Sequence, residues 1–138
     1  MKKIFLAFLL SSFFIACNKE AGEGGTSSIE GQVWELFTYQ DPFTGSWDTT
    51  FYRLDSGKDV YIIYSDDEGE IYDDKFETDY NGRYRFEFLR KGDYTLYVYA
   101  DSTDINMINY DYPIFKHITI DENNSIVLVE DFIIEKNQ

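Results

Sequence analysis

From Ile29 onward the chain alternates apolar and polar residues with a period of two, interrupted by clusters of Gly, Asn and Asp. That period puts successive side chains on opposite faces of a strand. Seven strands are predicted, over residues 29–38, 59–65, 70–78, 83–88, 94–101, 113–121 and 125–136. In 83–88, Tyr84, Phe86 and Phe88 fall on one face and Arg83, Arg85 and Glu87 on the other. In 94–101, Tyr94, Leu96, Val98 and Ala100 form the inner face. The segment 59–65 (DVYIIYS) is apolar on both faces, the pattern of a central strand covered on both sides, whereas 70–78 reads as a polar edge strand. Asp66-Asp67-Glu68-Gly69, Asp79-Tyr80-Asn81-Gly82 and Lys91-Gly92-Asp93 carry turn chemistry, and residues 101–112 read as a loop. Val127 and Val129 are followed by Phe132 and Ile134, an odd-to-even shift that predicts a bulge near Glu130-Asp131. No window sustains a helical stripe with caps. The expected fold is all-β, a small sandwich.

The start of the chain has a different pattern. Lys2 and Lys3 precede an almost unbroken apolar run over residues 4–16. A membrane-spanning helix needs about 20 apolar residues, so this run has the proportions of a secretory signal. It ends in Phe14-Ile15-Ala16-Cys17, which resembles the bacterial lipobox, with Phe14 where Leu is usual. The resemblance implies diacylglyceryl transfer to the Cys17 sulfur, cleavage before it, and acylation of the new amino group. Residues 1–16 are therefore read as a signal peptide and 17–28 as the lipidated Cys with a flexible tether. Residues 29–138 are read as the sandwich domain. The tether reading rests on 18–28 (NKEAGEGGTSS), which holds three Gly and no large apolar side chain. The expected location is a bacterial cell envelope, lipid-anchored at the outer membrane, with the membrane face left open.

Composition narrows the chemistry. The 138 residues include 26 acidic and 12 basic ones, for a formal net charge of −14. Such a field opposes nucleic acid, whose phosphates need Lys and Arg. With Phe, Tyr and Trp at 19% of the chain, there is too much core-forming material for a disordered acidic protein. One His and one Cys leave almost nothing for His/Cys zinc sites, disulfides or His-based triads. His117 is read as an ordinary strand residue. The acids at Asp66, Asp67, Glu68, Glu70, Asp73 and Asp74 are read as turn and edge residues, because no calcium-loop spacing is present. No metal, cofactor or catalytic group is expected.

Four stretches carry a resemblance: Ile29-Glu30-Gly31-Gln32-Val33, Asp59-Val60-Tyr61-Ile62, Thr78-Asp79-Tyr80-Asn81-Gly82-Arg83-Tyr84-Arg85-Phe86, and Leu89-Arg90-Lys91-Gly92-Asp93-Tyr94-Thr95-Leu96. Together they resemble the carboxypeptidase regulatory-like family, over about residues 29–134. The resemblance implies a seven-stranded transthyretin-like or immunoglobulin-like sandwich with an accessory, non-catalytic role. Residues 39–58 depart from the pattern by being longer and more aromatic. Within 39–54, Phe43, Trp47, Phe51 and Tyr52 stand beside Asp41, Asp48 and Arg53. Aromatics beside polar groups suit a binding patch, for a protein partner or alternatively a glycan. The same side chains could instead cap the open end of the sandwich.

Overall fold

The computed structural model describes residues 20–103 and 108–137, and only the backbone of Thr50, Phe51, Thr103 and Asn137. The segment expected as a signal peptide, and Cys17 with it, lie outside the described residues. Among those described, nine strands form two sheets: β1 (Glu23–Gln40), β2 (Trp47–Leu54), β3 (Asp59–Ile63), β4 (Asp74–Glu77), β5 (Arg83–Leu89), β6 (Gly92–Thr103), β7 (Asn109–Ile120), β8 (Ile126–Leu128) and β9 (Phe132–Asn137). β1 is the axis of one sheet. Antiparallel β5 pairs with its first half and antiparallel β2 with its second. The two follow one another along the same edge, since the Val33 amide donates to Gly82 (2.8 Å) and the Asp55 amide to Val33 (3.0 Å). β8 and β9 pair with β1 in parallel, also in succession. The second sheet has the order β4-β3-β6-β7.

The all-β sandwich is therefore what the structure shows, with nine strands among the described residues in place of the seven expected. One added strand is β2, drawn from the long aromatic segment. The other arises because 125–136 splits into β8 and β9 around residues 129–131, where the odd-to-even shift falls: Val129, Phe132 and Ile134 are all buried. The core joins Ile29, Val33, Tyr84, Phe86 and Phe132 of one sheet to Val60, Ile62, Leu96, Val98 and Ile120 of the other. Gly31 has a direct cause: a Cβ there would stand 2.3 Å from the Tyr84 hydroxyl oxygen. The Tyr84 ring needs that bare backbone to cross β1.

Five expectations change. The stretch read as tether joins the sheet from Glu23, and Ser27 and Ser28 are buried. The strand expected over 70–78 shrinks to Asp74–Glu77, and the loop expected over 101–112 is largely the continuation of β6 and β7. Phe88, expected on the inner face, is exposed while Leu89 is buried. Its φ of 58° breaks the alternation there and turns the ring out. Finally, among the described residues no third layer of secondary structure covers the outer face of β3. Its outward Tyr61 packs instead against Tyr97 and Tyr99 of β6 and against Tyr72 of the 64–73 loop.

Candidate functional site

The 39–54 segment extends the sheet instead of folding back as a cap. Residues 41–46 make the turn of the β1–β2 hairpin. The Asp41 carboxylate accepts from the Phe43 amide (2.7 Å) and the Thr44 amide (3.3 Å), and these two bonds hold its carboxyl below the usual carboxylate range. Asp41 is thus a turn residue, leaving Phe43 almost fully exposed at the tip. Register then separates the other candidates. Gln40 lies opposite Trp47 and Leu36 opposite Tyr52, so Trp47 and Tyr52 share one face of the ribbon. Glu35 lies opposite Arg53 and Tyr39 opposite Asp48, on the other face, and the Phe51 backbone pairs with Phe37. Arg53 is not free for a ligand: its guanidinium pairs with the buried Glu35, at 2.9 Å from Nε, and lies 5.0 Å over the Phe37 ring. The six expected residues whose side chains are described therefore do not converge on one patch. Trp47 and Tyr52, each more than half exposed, are the aromatic pair that shares one open face of the ribbon. Beside them on the same face, Trp34 lies opposite Leu54 and Ile133.

A denser aromatic surface lies on the outer face of the β4-β3-β6-β7 sheet. Register aligns Tyr61, Tyr97 and Phe115 across β3, β6 and β7, on the face opposite buried Leu96 and Val98. Tyr61 stacks on Tyr97 with ring centroids 4.9 Å apart and planes 13° from parallel. Tyr99 meets both edge-on, at 5.8 and 5.6 Å. Tyr72 leans on Tyr61 at 4.8 Å, and Phe115 on Tyr97 at 5.3 Å. Tyr72 and Tyr99 remain about 40% exposed, while Tyr97 beneath them is buried. At the margin Lys75 donates to Asp59 (2.8 Å), which also accepts from the Tyr61 hydroxyl at 3.4 Å. Burial, then the neighbouring Tyr99 and Tyr61, push the Tyr97 hydroxyl up to about 12. The result is a rigid aromatic shelf edged by a carboxylate and an ammonium. Its signal was present in YTLYVYA, where the outward phase of β6 carries Tyr97 and Tyr99 instead of polar residues.

The acidic 64–73 loop closes over the neighbouring part of this face. The Thr95 hydroxyl donates to the Ser65 carbonyl (2.9 Å), His117 Nδ1 lies 3.1 Å from the same hydroxyl, and His117 Nε2 lies 2.9 Å from Glu68. This trio has the residue types of a nucleophile, base and acid, but not the arrangement of one. Thr95 is fully buried and its proton is committed to a carbonyl. It is a clasp for the loop. The neighbouring acids are likewise engaged: Asp67 accepts from the Gly69 amide, Asp73 from the Tyr64 amide and Glu70 from the Ser65 hydroxyl. Among the described residues no three His, Cys, Asp or Glu come together as a metal site.

No family model matches the sequence, and no curated protein matches it. Among solved structures, the chain is similar to one from Pseudomonas aeruginosa, provisionally described as a carbohydrate-binding protein. That likeness has a TM-score of 0.46 at 12% identity and covers 84% of this chain and 92% of the other.

Proposed function

We propose that this protein is a non-catalytic, lipid-anchored module of a bacterial cell envelope that binds neutral saccharide chains on its tyrosine shelf. The observation that carries the reading is the packing of Tyr61, Tyr72, Tyr97, Tyr99 and Phe115 on a solvent-facing sheet. Rings locked by their neighbours lose little entropy on binding, and the apolar faces of a sugar can stack on them. Asp59 and Lys75 are paired with each other, and the second Asp59 oxygen and the remaining Lys75 N–H groups supply acceptor and donor capacity for hydroxyl groups at the margin. The net charge of −14 disfavours anionic polymers and leaves neutral chains unaffected. Membrane attachment is read from Cys17 at the end of the signal-like run; a Cys17→Ala protein should lose both palmitate labelling and membrane fractionation.

The binding test is calorimetric titration of the mature domain against soluble neutral polysaccharides, with Tyr72→Ala and Tyr99→Ala beside the parent. Losing about 50 Å² of stacked apolar surface at ~25 cal/mol per Å² removes about 1 kcal/mol, or several-fold in affinity for each variant. Unchanged affinities in both variants would reject the shelf. A second reading is favoured by Trp47 and Tyr52, which share an exposed face of the hairpin: a protein partner anchored there. Its affinity would fall steeply with salt, whereas saccharide binding would not.

A further inference from the structure

We infer that the protein is held close to its membrane in one orientation, with the lipid surface against the end of the sandwich formed by residues 20–25, 89–92 and 121–124. The inference rests on the proposed lipidation of Cys17 and adds what the fold does with the residues that follow. The chain is tied down from Glu20. Arg90 Nε donates to the Glu20 carbonyl (2.8 Å), and the Arg90 amide to the Gly22 carbonyl (2.9 Å). The Gly22 amide donates to the Tyr94 hydroxyl (2.9 Å), which itself donates to the Arg90 carbonyl (2.6 Å). Ala21 packs against the core over Gly92, where a Cβ would come within 2.7 Å of the Ala21 methyl. Gly25 passes so close to Leu89 that a Cβ would stand 2.0 Å from its carbonyl oxygen.

Only Asn18 and Lys19 stand between Cys17 and Glu20. Consecutive Cα atoms are 3.8 Å apart, so those three steps reach at most about 11 Å. The 11-residue tether read from the sequence is mostly inside the fold. Glu23 and Ser27 both lie opposite Leu89, so β1 runs away from this end only from Ser27 to Gln40. At about 3.3 Å per residue, the hairpin tip with Phe43 stands roughly 40 Å from the anchored end. Arg90 and Lys91 at the near end are offset by Glu20, Glu23, Asp93 and Asp121. The short link, and not attraction to lipid charge, sets the orientation.

The test uses the full mature lipoprotein in phosphatidylcholine vesicles that contain a headgroup-linked acceptor dye. A donor dye is placed on Lys91→Cys or on Thr44→Cys, both exposed positions; with Cys17 acylated, each introduced thiol is unique. Energy transfer should be several-fold stronger from position 91 than from 44, and unchanged when anionic lipid is added. A 20-residue Gly/Ser insertion after Lys19 should level the two. Equal transfer from a protein that floats with the vesicles would overturn the orientation alone. A protein that does not float would overturn the anchor and the inference together.

Discussion

Single residues in this fold are set by close approach more than by propensity. Gly31 and Gly25 look like generic flexible positions in the sequence, yet each faces an atom that leaves no room for a methyl group. Gly31→Ala must displace the Tyr84 ring from the core, and should cost about 2–4 kcal/mol in chemical denaturation, in line with core overpacking and strain. Phe88 could not be placed from the alternation because its positive φ reverses the face on which the next residue points. Asp41 and Arg53 had the chemistry of ligand-binding groups, but the turn amides and Glu35 already occupy them. Sequence shows which groups a residue carries; it does not show which are spoken for.

Strands with a clean two-residue period were legible as elements: β5 and β6 begin within two residues of expectation and bury Tyr84, Phe86, Tyr94, Leu96 and Val98 as predicted. β2 was not legible, because WDTTFYRL carries aromatics in both phases and a register shift opposite Phe37/Thr38 breaks its alternation. The first six residues of β1 were hidden by small side chains chosen for packing, which resemble a linker's composition. The outer face of β3 and β6 makes a pH prediction. Burial raises the Tyr97 hydroxyl to about 12, and Tyr61 is raised by burial and by Asp59. An unfolded tyrosine titrates near 10, so above that pH the unfolded chain holds fewer protons than the folded one. Stability should thus be level below about pH 10 and decline between about 10 and 12. Thermal melts across pH 8–12 should show this fall, accompanied by a late phase of tyrosinate absorbance at unfolding.

At the scale of the molecule, the fold separates three surfaces. One end secures the N-terminal segment, the hairpin tip lies far along β1, and the tyrosine shelf covers a flank between them. A lipid anchor at the first would leave the flank free to meet a long saccharide, with no need for an enclosed cleft. Only part of this was readable in advance: the sandwich was, but the shelf required the register of β3, β6 and β7. The central claim is that this flank is the ligand surface. It is tested most directly by titrating mature domain carrying ¹³C-labelled tyrosine and tryptophan with a soluble neutral polysaccharide and following the ring resonances by NMR. The account predicts saturable shifts at Tyr61, Tyr72, Tyr97 and Tyr99 with Trp47 and Tyr52 unmoved. Shifts confined to Trp47 and Tyr52 would contradict it.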